Sequence, residues 1–502
     1  MPAEPPRPSD GRIALALFLF LNFLFLLTSS GRVRTIDELT VDFQAESLVT
    51  RGSFAVPQAL AARTYYGKRD REGNPQAPYG AGQAVLLAPW YMLGRLLSAV
   101  VPGIPPPARD AALDAAVVSS SATFAALAAA LAFLLLARLG LPAGASAAAA
   151  LILALGTPVF AYSSWLFSEP LVAAMLLAAA LVLFSGPREA PVALLRSVAA
   201  GLLLGGAIWV RPAHVIAVPV FVFGLLLRDR ARGILPACVV AGVSSVFAAA
   251  YLLRNDFLFG SFFDFGYPVM AEGGKRLNSF STPLSTGLFG FLLSPGKSLF
   301  LFAPPLLVAL AGLPALARRD RGLAVVAGFT PVVYLLFYAG YAQWEGGYSF
   351  GPRYLVPVIP LLMLALGPLW AQRGRALRSL ALVLAAAGFF VQLIGMSTSF
   401  LEDQATGAYY DAHWNYRMSY SPLVSQTQRL LHYLATPSPA PIGLGFDRWF
   451  VFLGKTGIAR GPILAGVLLE AVAALAFGAY FFLLLRARKV CSSSSAPLSV
   501  SN

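Results

Sequence analysis

Charge is what this chain has least of. Only 12% of its 502 residues are Asp, Glu, Lys or Arg, where a soluble domain carries about 25%. That scarcity excludes the two or three soluble domains the length would otherwise suggest. Two cysteines, Cys238 and Cys491, support neither a disulfide framework nor a metal cage. No period of 20–50 residues is visible, which excludes a solenoid. What is abundant is apolar: hydrophobic residues make up 58% of the chain and the mean hydropathy is +0.70. Lipid is the main solvent of such a chain, and about 12 spans of ~20 residues would use roughly half of it. The net charge of +14 would suit nucleic acid only on a charged soluble face, and the sequence has no such face. Arg outnumbers Lys by 32 to 5, which fits charges placed near phosphates.

Apolar runs fall at 13–28, 112–138, 143–161, 168–186, 195–210, 213–227, 233–254, 298–317, 322–343, 352–371, 378–399 and 461–485. They predict an all-α polytopic membrane protein of about 12 transmembrane helices. Basic clusters at Arg228/Arg230/Arg232, Arg318/Arg319/Arg321, Arg373/Arg375/Arg378 and Arg486/Arg488/Lys489 are separated by an even number of runs. All four can therefore be cytoplasmic together. The same parity puts the tail 1–12 inside and the segments 31–111, 255–297, 344–351 and 400–460 outside. The run 84–102 contains Pro89, Gly94 and Arg95 and carries Trp90 and Tyr91, so it is read as a helix lying in the outer interface. The core is expected over 13–399, a possible acceptor-binding cap over 400–460, and a disordered cytoplasmic tail over 486–502.

With no separate soluble domain, chemistry must be built from loops and span ends. The first outer loop opens on Thr35-Ile36-Asp37-Glu38, a helix start with Glu38 placed as capping-box partner of Thr35. Glu38, Asp42 and Glu46 then share one helix face, and Ile36, Leu39 and Phe43 another. Asp37, within a turn of the membrane end, is read as functional; Glu46 is read as a solvated face. The same loop carries Lys68 and Arg69, and acids beside cations at an outer leaflet suit a reaction at a phosphate. Glu169 stands alone before Pro170, either stabilising a helix N-terminus or serving a site. Arg211, at the tip of a short hairpin with His214 after it, sits at headgroup depth, where it either binds a specific phosphate or snorkels. Arg353 closes the Gly-rich, aromatic stretch 344–354 and is another phosphate candidate. Tyr409, Tyr410 and Trp414, near Asp403 and Asp411, suit sugar binding or an interfacial aromatic belt.

Taken in order, Asp37-Glu38, Tyr79-Gly80-Ala81-Gly82-Gln83, Leu87-Ala88-Pro89-Trp90-Tyr91, Ser168-Glu169-Pro170, Arg211-Pro212 and Gly351-Pro352-Arg353-Tyr354-Leu355-Val356-Pro357 resemble the GT-C membrane glycosyltransferases. The likeness is to the bacterial branch related to protein O-mannosyltransferases and the lipid A aminoarabinose transferase (the family 39 type), and it runs through about residue 370. The resemblance implies a GT-C-like bundle in a bacterial inner membrane. It also implies transfer of a sugar from a polyprenyl-phosphate carrier to a protein, lipid or glycan acceptor on the extracytoplasmic side. Inversion at the anomeric carbon is expected, with no nucleotide sugar and no metal. Asp37 would be the general base, Glu38 structural or assisting, and Glu169 the second outer acid. Arg211 and Arg353 would hold the carrier phosphate, joined by Lys68 or Arg69. One departure stands out: Ala77-Pro78 occupy the place where relatives often carry a Lys. The alternative from another class is a transporter or flippase of a lipid-linked sugar. That alternative calls for charges at mid-membrane and internal repeats. A multispan acyltransferase would need a buried His, whereas His214, His413 and His432 fall in or beside outer segments.

Overall fold

The computed structural model describes residues 9–100, 106–186, 192–267, 279–347, 349–372, 374–401, 414–436 and 446–494. Among these it is helical throughout, with only isolated β-bridges beside the helices. The principal helices, in order, are α1 (Asp10–Thr28), α2 (Ile36–Arg51), α3 (Gly82–Val100), α4 (Pro106–Arg138), α5 (Ala143–Gly156), α6 (Glu169–Phe184) and α7 (Leu194–Val210). They continue as α8 (Ala217–Asp229), α9 (Ile234–Phe259), α10 (Leu284–Leu293), α11 (Leu306–Arg319) and α12 (Arg321–Ala339). The chain finishes with a broken helical segment α13 (Arg353–Gln372), then α14 (Arg375–Ser397), α15 (Pro422–Ala435), α16 (Trp449–Lys455) and α17 (Arg460–Ser494).

Seven described stretches are long and apolar enough to cross a membrane: α1, α4, Pro212–Phe259, α12, α13, α14 and Arg460–Val490. Other expected spans come out shorter, for reasons the sequence contains. The run 143–161 breaks at Thr157-Pro158, leaving α5 at 14 residues. The run 298–317 breaks at Pro304-Pro305, leaving α11. Pro212–Phe259 is two helices joined by a turn at Arg230–Gly233. The segment 255–297, read as loop, holds a short apolar helix, α10, closed by Ser294-Pro295 and packed on α12. The last helix runs to Ser494, well past 485 and into the stretch expected to be a disordered tail.

The centre is built from small residues. α4 carries Ala122, Ala125, Ala126, Ala128 and Ala129, all fully buried, so α1, α3, α5 and α6 can pack closely on it. α1 also packs along α17, Arg12 donates to the Tyr480 hydroxyl at 2.9 Å, and Arg488 pairs with Asp10 at 2.5 Å. The start of α1 and the far part of α17 thus meet at one end of the bundle. α3 does not rank among the seven membrane-length stretches. It buries Ala84, Leu87 and Tyr91 and turns Met92, Leu93, Leu96 and Leu97 outward. Such an apolar outer face suits a helix lying at a lipid boundary.

Candidate functional site

Four charged side chains from distant parts of the sequence meet at one end of the bundle. α2 begins with the expected capping box: Glu38 N–H donates to Thr35 Oγ1 at 3.1 Å and Glu38 Oε2 accepts from Thr35 N–H at 2.8 Å. The other oxygen, Oε1, accepts from Leu166 N–H at 2.9 Å, and Glu38 is fully buried. Glu38 therefore fastens the start of α2 to the 165–168 loop, the segment that delivers Glu169 to the first turn of α6.

Asp37 is held by that fastening with its carboxylate pointed the other way. Oδ1 accepts from the Tyr79 hydroxyl at 2.5 Å, and Oδ2 accepts from Arg353 Nη1 at 2.7 Å. The same guanidinium donates from Nε to Glu169 Oε1 at 2.8 Å, so Arg353 bridges the two acids. Its guanidinium carbon lies over the Phe167 ring, 4.1 Å from the ring centre. Arg211 stands beside them, with Nη1 3.7 Å from Glu169 Oε1 and its guanidinium carbon 5.5 Å from the centre of the Tyr354 ring. Glu169 Oε2 is buried and has no hydrogen-bond partner, an open acceptor that a ligand hydroxyl would satisfy.

Glycine makes the approach possible. A Cβ on Gly80 would stand 1.8 Å from Trp209 O, and one on Gly82 would stand 2.7 Å from Trp209 C. Only glycine lets the strap before α3 cross the end of α7, so the motif at 79–82 brings Tyr79 and Arg211 to the same place. The pocket between them is narrow, about 10 Å³, or about one water. Its walls include Asp37, Tyr79, Gln83, Phe167, Arg211 and Arg353.

The electrostatics follow from these contacts. Burial pushes the Asp37 carboxyl up, but Arg353, the Tyr79 hydroxyl and Arg211 outweigh it and hold the group below the usual carboxylate range. Burial and the Asp37 charge push the Tyr79 phenol well above its ordinary value, so it stays a donor. The face shared by Glu38, Asp42 and Glu46 turns inward at its first two members, which are buried while Ile36 is 48% exposed. Asp42 is pushed up to about 7 by burial and by Glu46.

Asp37, Glu169, Arg211 and Arg353 come together, beneath the N-terminal end of the 84–102 run. Glu38 lies behind them as a fastener. Glu46 accepts from Gln58 Nε2 at 2.8 Å and is half-buried rather than freely solvated. Lys68 and Arg69 do not line the pocket. Lys68 pairs with Asp264 at 2.6 Å, and Arg69 is exposed and donates to Gly73 O at 2.7 Å. Lys297 Nζ lies 5.5 Å from the centre of the Trp414 ring, and Trp414 does not line the pocket; Tyr409 and Tyr410 fall outside the described residues. His214 is buried, with Nδ1 2.8 Å from the Tyr334 hydroxyl. Among the described residues, no group of three or more His, Cys, Asp or Glu could hold a metal ion.

Sequence reasoning did not assign site roles to Tyr79, Phe167 or Tyr354. Tyr79 and Tyr354 stand in the Tyr79–Gln83 and Gly351–Pro357 runs and Phe167 just before Ser168-Glu169-Pro170, but an aromatic at a membrane boundary is ordinary, and only the folded contacts single these three out. Fully buried Lys297 was also missed. Its ammonium donates to Ser349 O at 2.8 Å and Ser349 Oγ at 3.2 Å, bracing the loop that leads into Arg353.

No family model matches the chain, and no curated protein matches it. Among solved structures it is similar to ArnT from Cupriavidus metallidurans bound to undecaprenyl phosphate. That likeness has 15% identity and a TM-score of 0.47, covering 96% of this chain and 78% of that one. The apo state of the same protein gives 17%, 0.47, 95% and 76%. A third likeness is to the archaeal oligosaccharyltransferase AglB from Archaeoglobus fulgidus in complex with an inhibitory peptide and a dolichol-phosphate. Its identity is 14% and its TM-score 0.46, covering 85% of this chain and 60% of that one.

Proposed function

We propose that this chain is an inverting membrane glycosyltransferase that takes a sugar from a polyprenyl-phosphate carrier and passes it to an acceptor on the extracytoplasmic face. The observation that carries this proposal is the Asp37–Arg353–Glu169 bridge with Arg211 alongside. It sets a carboxylate base and a pair of guanidinium groups in one pocket at an end of apolar helices. Asp37 takes the proton from the acceptor hydroxyl, whose oxygen attacks the anomeric carbon. The bond from that carbon to the carrier's phosphate oxygen breaks, and the phosphate leaves with a second negative charge. Arg353 and Arg211 meet that growing charge, a stabilisation that is larger in the transition state than in the ground state.

The resting pairing is part of the chemistry. With Arg353 on Asp37, the carboxylate is a weak base. A donor phosphate competes for the same guanidinium, and drawing Arg353 towards it frees Asp37 to accept a proton. We assign to Glu169 Oε2, which has no hydrogen-bond partner, the orienting of a sugar or acceptor hydroxyl. The site is assigned no metal, because a guanidinium lies between the two acids. The acceptor, whether protein, lipid or glycan, is assigned to the side of the 400–460 segment.

The test is incubation of the purified full chain with labelled polyprenyl-phosphate sugars, scoring release of the sugar to an acceptor-bearing membrane extract. One donor should lose its sugar, with EDTA present or absent. Asp37→Asn should lower the rate by about 10²–10⁴-fold while leaving the protein folded. Near-normal transfer by that variant removes Asp37 as base, and no release from any donor removes the activity.

A further inference from the structure

The opposite end of the bundle holds a second charged cavity, which plays no part in the proposed transfer. α8 starts just past Arg211 and ends at Asp229 after 13 residues, so its far end lies roughly 20 Å from the site. There a cavity of about 820 Å³ opens between the end of α8 and the junction of α11 with α12. Arg228, Arg230, Arg318, Asp320 and Arg321 line it, with Leu227.

The charges in this cavity do not cancel. Arg228 is 3.5 Å from Asp229 and 3.4 Å from Asp320, with all three side chains buried. Asp320 also caps α12, accepting from Leu323 N–H at 2.9 Å. Both acids thus lie against Arg228, and Asp320 also holds the helix end. Among the described residues, no carboxylate pairs with Arg230, Arg318 or Arg321, and Arg318 donates only to the Gln372 amide oxygen at 3.1 Å. Among the described residues, three exposed guanidinium groups therefore line one cavity with no carboxylate paired to them.

Arg230 adds an independent mark. Its backbone has φ +53° and ψ −131°, a conformation that side chains other than glycine seldom adopt. Such outliers cluster at ligand clamps, and a glycine here would relax the turn at no steric cost. Span-orienting arginines in a cytoplasmic loop require neither a cavity nor a strained backbone. Leu227 lines the cavity at 42% exposure, and Phe223, one turn up α8, is 51% exposed. Cations in a hollow with an apolar strip running away along a membrane helix match one amphiphile: a phosphate headgroup with an acyl chain.

We propose that Arg230, Arg318 and Arg321 form a binding site for the phosphodiester headgroup of an anionic membrane phospholipid. One acyl chain lies along Leu227 and Phe223. The full chain is purified in neutral detergent, and its unfolding temperature is read with added phosphatidylglycerol, phosphatidylcholine or sodium phosphate. Phosphatidylglycerol should raise Tm by about 4 °C, and the other two by much less. Native mass spectrometry should show phosphatidylglycerol retained on the wild type. Arg230→Gly should match or exceed the wild type in phosphatidylcholine, because it relieves strain, yet lose part of the phosphatidylglycerol gain. The triple variant R230G/R318Q/R321Q should lose both the gain and the retained lipid. An undiminished gain in the triple variant, or none in the wild type, overturns the site, and an equal gain from sodium phosphate overturns the lipid assignment.

Discussion

At the scale of single residues, Arg353 matters most because it is asked to do two things with one planar group. It reaches Asp37 through Nη1 and Glu169 through Nε, a fork that an ammonium cannot copy. Arg353→Lys keeps the charge but can serve only one acid well. The transfer rate should fall by at least about tenfold, and stability should fall by about 3 kcal/mol as buried Glu169 loses its pairing. Paired measurements of kcat/KM and Tm check both, and a lysine variant that matches the wild type in each would reduce Arg353 to a phosphate-facing charge. Asp42 makes a separate residue-scale prediction. Its native pKa is raised from 3.8 to about 7, so its ionisation opposes folding. The penalty begins above the unfolded pKa and is complete above about pH 7, where it amounts to roughly 4 kcal/mol. Asp42→Asn should therefore raise Tm at pH 8 and change it little at pH 4. An equal effect at the two pH values would place Asp42 in contact with water.

At the scale of elements, what could be read in advance was whatever depended on neighbours in sequence. The Thr35–Glu38 cap needs four consecutive residues and was legible in them. The isolation of Asp37, Glu169, Arg211 and Arg353 among apolar runs was equally visible, because charge near lipid stands out. What pairs with what was not legible, since Asp37 and Arg353 are 316 residues apart and only packing decides their register. Helix lengths failed for the same kind of reason. α10 hid in a stretch too short to span, and Pro158 and Pro305 cut runs whose composition stayed apolar. The clasp between residues 29–34 and the start of α16 was wholly invisible. Asp447 accepts from Arg32 Nε at 2.9 Å and from Arg34 Nη1, and Trp449 N–H donates to Ser29 O at 2.9 Å. Asp447→Asn leaves two cations short of a counter-charge and should cost about 3–5 kcal/mol. Hydrogen exchange at residues 29–35 should speed up with it, because those amides precede α2 and share the clasp. Unchanged protection there would show that α2 is held by Glu38 alone.

At the scale of the whole molecule, two groups of arginines stand at opposite ends of the bundle. Arg353, buried, and Arg211, half-buried, pair with acids at one end of the bundle. Arg228, Arg230, Arg318, Arg319 and Arg321 collect at the other end, with Arg319 Nη1 3.5 Å from Leu139 O where α4 ends. If the second population orients the chain by the positive-inside rule, the pocket with Asp37 faces away from the cytoplasm. The transfer proposed above would then take place on the far side of the membrane. Impermeant maleimide labelling of intact cells decides this. Cys238 and Cys491 are first replaced by serine, and a single cysteine is then introduced at Glu72 or at Arg232, both exposed. Glu72→Cys should label in intact cells. Arg232→Cys should label only after the membrane is opened, since it lies on the turn between α8 and α9. The reverse pattern would turn the bundle over, placing the Asp37 pocket on the cytoplasmic side and the arginine cavity outside. Labelling of both in intact cells would mean that these two ends are not separated by the bilayer at all.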